Sequence, residues 1–187
     1  MSTRLPFPRP HITRRTRLGA ALAVIALAIP GLALASSNWS SVGSTGTPDE
    51  LCTGRVSFNN NDAGLVSGAT ALSCTIRYQV HDTWDGTGIL GVYLGAHFTD
   101  KGIYSEVRTR LRAHNTATGV LTTLASQSSN SYPPAATPQT RYLTNCVALN
   151  FNANSYFIEV DLVRTASPVG AIPGLPVLGQ LRLLRCQ

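Results

Sequence analysis

Arg108, Arg110 and Arg112, with His114 behind them, stand two residues apart along one stretch of chain. On a β-strand, side chains spaced by two project from one face. Three guanidinium forks in a row could grip a carboxylate, phosphate or sulfate through paired N–H donors. The structural alternative is that a neighbouring strand brings Glu159 and Asp161 opposite the row, giving cross-strand ion pairs on a solvated sheet face. The second reading needs no ligand and is the one we favour.

A second cluster is His81-Asp82-Thr83-Trp84-Asp85-Gly86-Thr87-Gly88. An exposed indole beside two carboxylates suits a sugar: the ring stacks on the pyranose face while Asp82 and Asp85 accept hydroxyl protons. The same acids, with Asn59-Asn60-Asn61-Asp62 from another loop, offer oxygens for a Ca²⁺ ion, which needs six to eight. Asp and Gly also serve turn geometry, with Trp84 capping a core, and that reading competes with both. Tyr132, in the Tyr132-Pro133-Pro134 segment, is a further candidate contact for a ligand.

Catalytic signals are thin. His81, His97 and His114 fall on three different expected strands and share no ligand-type spacing. There is no Gly-x-Ser-x-Gly elbow and no glycine-rich phosphate loop. A small polysaccharide hydrolase would have to draw its two carboxyls from Asp82, Asp85 and Glu106. The readings carried forward are a non-catalytic module that binds a carbohydrate or an envelope protein, or builds a surface structure, with the hydrolase as alternative. No catalytic residue, resident metal or cofactor is assigned.

Four cysteines, Cys52, Cys74, Cys146 and Cys186, complete the reactive groups. An even number without a Cys-x-x-Cys pair reads as two disulfides in an oxidising compartment. Of three possible pairings we expect Cys52–Cys74 and Cys146–Cys186. A Cys52–Cys186 tie between the domain's ends is the main rival.

The elements that must position these residues are strands. Leu72, Cys74, Ile76, Tyr78 and Val80 alternate with Ser73, Thr75, Arg77, Gln79 and His81, giving one apolar and one polar face. Residues 103–114 alternate likewise, with Val107, Leu111 and Ala113 on the face opposite the arginines. A loop at 115–119 returns the chain as a hairpin, with Gly119 free to take positive φ. Residues 141–151 and 155–164 are expected to form a second hairpin around Asn152-Ala153-Asn154, and 177–185 a last strand. Shorter strands are expected at 53–58 and at 89–98, the latter apolar on both faces and punctuated by Gly91 and Gly95.

About eight strands and no helix predict an all-β domain: a single antiparallel β-sandwich of jelly-roll or immunoglobulin-like type. Two long connections, 126–140 and 165–176, carry most of the prolines. If these gather with 59–64 and 82–88 around one concavity, a loop-built binding site gains; if they scatter, structural work gains.

Residues 1–35 are set apart from this domain. Five arginines and no acid precede residue 18; an uncharged run follows to residue 35, ending in Ala33-Leu34-Ala35. A basic start, an apolar middle and a small-x-small end describe a cleavable signal peptide. Thr13-Arg14-Arg15-Thr16-Arg17-Leu18 resembles a twin-arginine motif with Arg17 at its apolar position, so both that route and general secretion stay open. The mature chain is expected to be bacterial, secreted or periplasmic, and without a membrane span. It would have a flexible lead-in at 36–51 and the sandwich at 52–187. Five of the fifteen basic residues leave with the leader, so ten face nine acids, a net charge near +1 against +6 for the whole chain. That balance gives no ground for a nucleic-acid partner.

Overall fold

The structure is a computed structural model, and it describes residues 38–68, 70–81, 89–102, 104–166 and 174–186. The leader and the Asp82–Gly88 cluster, including Asp82, Trp84 and Asp85, lie outside the described residues.

The described residues form twelve strands: β1 (Trp39–Val42), β2 (Thr47–Pro48), β3 (Val56–Asn59), β4 (Asp62–Leu65), β5 (Leu72–Val80), β6 (Ile89–Asp100), β7 (Ser105–Asn115), β8 (Leu121–Ser128), β9 (Ala135–Tyr142), β10 (Val147–Asn150), β11 (Asn154–Arg164) and β12 (Val177–Arg185). Five of them make one sheet in the order β2-β5-β11-β7-β8. Seven make the other, ordered β10-β6-β12-β4-β3, with β1 also on β12 and β9 also on β6. Every pairing is antiparallel. The expected antiparallel β-sandwich is therefore what the chain adopts.

Alternation decides which residues are inside. Cys74, Ile76, Tyr78 and Val80 of β5, Val107, Leu111 and Ala113 of β7, and Tyr156, Ile158, Val160 and Leu162 of β11 are buried, while the residues that alternate with them face the other side of the sheet. Val92, Leu94, Ala96 and Phe98 of β6, with Leu178, Leu181 and Leu183 of β12, supply the facing layer. A one-residue slip would turn all of these out to water, so the register is strongly fixed.

Two buried polar groups tie the ends of strands together. Asp100 accepts from the Gly102 amide (3.0 Å), from Ser105 Oγ (2.6 Å) and from Ser129 Oγ, which joins the β6–β7 turn to the end of β8. Arg164, also buried, donates to the carbonyls of Thr70 (2.9 Å) and Val66 (2.8 Å) and so braces the β4–β5 connection.

The structure departs from the sequence expectations in four places. Residues 38–51, the described part of the expected flexible lead-in, carry regular structure: β1 pairs along β12 from Trp39↔Leu183 to Val42↔Gln180, and Trp39 is buried. A polar edge strand needs only backbone pairing, so Ser-rich composition did not reveal it. The expected hairpin around residues 152–154 does not form, because β10 pairs with β6 in one sheet while β11 pairs with β5 and β7 in the other. The segment 126–140 is mostly strand, with Pro138 admitted on β9 beside a register shift. Finally, the structure leaves Cys52 and Cys74, expected to be bridged, as two buried thiols, while Cys146 and Cys186 are bonded as expected.

The described flanks of three of the four loops singled out in the sequence lie toward one end of the sandwich: Val177 pairs with Gly64 and Thr99, and Ala135 pairs with Asp100. The turn at Asn60-Asn61 closes the β3–β4 hairpin, with Asn60 at φ 51°, a left-handed conformation that asparagine tolerates. The strand ends that flank 165–176 lie at the opposite end of β11 from the turn at 151–153. Residues 82–88 and 167–173 lie outside the described residues, and the described polar surfaces are the two outer sheet faces.

Candidate functional site

The outer face of the five-stranded sheet carries the arginine row, and it is paired. Register sets Glu159 between Arg77 and Arg110, and Asp161 between Thr75 and Arg108. Arg110 approaches Asp161 at 2.8 Å and Glu159 at 3.5 Å; Arg112 reaches Glu159 at 3.5 Å and donates to Thr123 Oγ1. Arg77 contacts Glu159 on the other side and also Asp49. Glu106 is held by Arg108 (2.8 Å) and accepts from Ser128 Oγ (2.6 Å). Four guanidinium groups thus meet four carboxylates. This is the cross-strand arrangement favoured from the sequence, but it is less solvated than expected: the side chains of Glu159 and Asp161 are only 10% and 9% exposed. The row is committed to the protein's own acids, and Glu106 is occupied likewise.

Tyr132 is also engaged internally. It packs against the core, its ring 6.3 Å from that of Phe98, and the Arg141 guanidinium sits 4.9 Å above its face. His114 is exposed at the end of β7. Among the described residues no three His, Cys, Asp or Glu side chains converge to hold a metal.

The outer face of the seven-stranded sheet is built differently. Alternation on β6 sends Val92, Leu94, Ala96 and Phe98 inward, which leaves Gly91, Tyr93, Gly95, His97 and Thr99 facing out. Around Gly95, register places Tyr142 of β9 on one side and Arg182 of β12 on the other. One step along, His97 lies between Thr140 and Gln180, and its Nδ1 is 2.8 Å from Thr140 Oγ1. The glycines are not spacers. A Cβ on Gly95 would fall 2.3 Å from Tyr142 Cδ1 and Cε1, so the tyrosine ring lies across the strand on a floor that only glycine permits. Tyr142 remains 37% exposed. At Gly91 the same space holds the Cys146–Cys186 disulfide, with Cys146 Sγ 2.8 Å from where a Cβ would be. That bridge spans the face of β6 and fixes β10 and the end of β12 on either side of it.

This face continues into a groove. Over Gly179, His97 Cδ2 and Asp62 Oδ1 come together, 2.7 and 3.3 Å from the missing Cβ position. Asp62 in turn lines a groove of about 420 Å³ with Ser57, Asn59, Ser67, Leu175 and Val177. From Tyr93 to Thr99 the strand rises about 20 Å, so rings, hydrogen-bonding side chains and groove form one extended surface. A smaller recess of about 250 Å³ lies between Trp39, Tyr78 and His81.

None of Tyr93, Tyr142 or Arg182 was singled out by sequence reasoning. The signal available was Gly91 and Gly95 in an otherwise apolar strand, which marks close approach by another group; which group approaches is a tertiary fact.

No family model matches the chain, and no curated protein matches its sequence. Among solved structures, it superposes on a chain from the structure of infectious bursal disease virus (Gt strain) with a TM-score of 0.39 at 9% identity, over 79% of this chain and 31% of the viral one. It superposes on the family 11 carbohydrate-binding module of Clostridium thermocellum, solved with a β-1,3-1,4-mixed-linked tetrasaccharide, with a TM-score of 0.37 at 13% identity, covering 79% and 87% of the two chains. This chain thus spans under a third of the viral protein. Superpositions this loose carry no argument about function, and the fold rests on the strand register itself.

Proposed function

We propose that this chain is an exported, non-catalytic binding module whose ligand is a carbohydrate polymer laid along the outer face of the seven-stranded sheet. The observation that carries the reading is Tyr142, held across Gly95 with its ring half open and flanked by Arg182, His97, Gln180 and Thr140. An aromatic face supplies apolar contact to a sugar ring, and its polar neighbours reach the hydroxyls around it. The groove at Asp62 and Asn59 extends that surface in one direction, as a chain-like ligand requires. Rigidity under the platform comes from a strand hydrogen-bonded on both edges and from the disulfide over Gly91.

Affinity electrophoresis of the mature protein through gels containing xylan, mixed-linkage β-glucan, mannan or chitosan tests it. Retardation by at least one polymer, weakened about tenfold or more by Tyr142→Ala, is the expected result. Equal mobility in every gel, or retardation that Tyr142→Ala leaves unchanged, rejects the reading.

A second reading is assembly into a surface structure. It draws on β8, an eight-residue strand that ends its sheet and carries exposed Leu121, next to exposed Val120. Concentration-dependent ladders on native gels would favour it over a monomeric binder.

A further inference from the structure

Cys52 and Cys74 are both buried in the core, at 5% and 1% exposure. Cys74 is on the inner face of β5, and Cys52 closes a short 3₁₀ turn at Glu50–Cys52. That turn is laid against β5 by the Asp49 amide, which donates to the Thr75 carbonyl at 2.9 Å. Cys52 Sγ points at the carbonyl of Ser73 (3.8 Å), the residue before Cys74. The backbone contact and the Cys52 side chain together set the two cysteines beside each other in the core, from separate elements.

The geometry points to a second disulfide, Cys52–Cys74, that is closed while the chain is still unfolded and then sealed inside the sandwich. In the step, a Cys thiolate attacks one sulfur of a small or protein disulfide oxidant and releases its thiolate. The second Cys then displaces the first oxidant sulfur. Two thiols lose two electrons and two protons, and the oxidant's disulfide becomes two thiols.

The order of events follows from the surroundings. Burial, and then the hydrogen bond and charge of Cys52, push the Cys74 thiol from an ordinary 9.0 up to about 12. The thiolate is the attacking species, so a raised thiol holds less of it at neutral pH, and the higher basicity of the thiolate offsets only part of that loss. Burial of both sulfurs also keeps an oxidant from reaching them in the folded state. The Cys146–Cys186 bridge is the opposite case: Cys146 is exposed, and the bond lies on the outside of β6. One bridge stays open to exchange in the folded protein; the other is settled before folding ends. The redox state of Cys52 and Cys74 then records whether the chain met an oxidant unfolded, as in threading export, or already folded.

Two measurements test this on the full chain. Protein recovered from an oxidising export compartment is denatured without reductant, alkylated with iodoacetamide and digested. A linked peptide containing Cys52 and Cys74, with no alkylation at either, is expected if the chain crossed unfolded behind a general-secretion leader. Both cysteines alkylated under that leader overturns the bridge. Separately, protein refolded in reductant is exposed to oxidised glutathione with and without urea. Cys52–Cys74 should close more than about 10-fold faster in urea, while Cys146–Cys186 closes in both. Equal closure of Cys52–Cys74 in both conditions overturns the sealing. Neither measurement uses a carbohydrate, so failure here leaves the binding reading standing, and failure of binding leaves this one.

Discussion

Replacing Arg110 by Met tests whether the arginine row is structural. Arg110 makes the closest arginine contact to Asp161, with Nη2 3.0 Å from Oδ1 and 2.8 Å from Oδ2, and a second contact to Glu159 at 3.5 Å. An exposed ion pair contributes about 0–1 kcal/mol, whereas removing one partner of a fully buried pair costs about 3–5 kcal/mol because a charge is left behind. This pair lies between the limits. The carboxylates are about nine-tenths covered, but Arg110 itself is 26% exposed. The acids also keep other partners: Asp161 retains Thr75 Oγ1 at 2.8 Å, and Glu159 retains Arg77 and Arg112. The expected loss for Arg110→Met is therefore about 1.5–3 kcal/mol, a midpoint shift of about 3–10 °C for a domain of this size. Urea denaturation of Arg110→Met, Asp161→Leu and the double variant would measure it, with a coupling between the two sites above about 1 kcal/mol. A loss below about 0.5 kcal/mol with no coupling would refute the structural account and return the row to the list of anion sites.

Three further outcomes follow from single positions. Tyr78 donates its hydroxyl to the Gly43 carbonyl at 2.6 Å, and burial raises its phenol above the ordinary 10.0. Its contribution is therefore complete below about pH 10 and is lost as pH climbs beyond it, because only the unfolded chain ionises there. Stability should fall by up to about 1.4 kcal/mol per pH unit in that range, and Tyr78→Phe should flatten the limb in urea titrations between pH 9 and 11. Gly43→Ala would set a Cβ 2.1 Å from the Leu178 carbonyl oxygen and 2.7 Å from the Ala63 amide, both backbone. It should cost about 3 kcal/mol by thermal melting. Gly95→Ala collides only with the half-exposed Tyr142 ring, so the melt should move by less than about 1 kcal/mol while polysaccharide retardation is lost.

How much of this was legible depended on whether one strand or several fixed the answer. The alternation of β5 and of β11 decides burial within a single segment, and both were readable to within a residue or so of their ends. The arginine row needed only the assumption that Glu159 and Asp161 would lie opposite, which the register of β11 on β7 supplies. What sequence could not supply was choice of sheet. The turn after β10 crosses from one sheet to the other, so adjacency in the chain suggested a hairpin that does not exist. The same gap hid the platform. Tyr93 on β6 and Tyr142 on β9 become neighbours only once those strands pair, and Gly95 gains its meaning from the ring that covers it.

Backbone amide mapping during titration with whichever polysaccharide retards the protein most addresses the binding claim directly. Shifts should concentrate on β6, β9 and β12 around Gly95, with smaller changes toward Asp62 at the groove. Shifts confined to β5, β7 and β11, where the arginines meet their own acids, would contradict it.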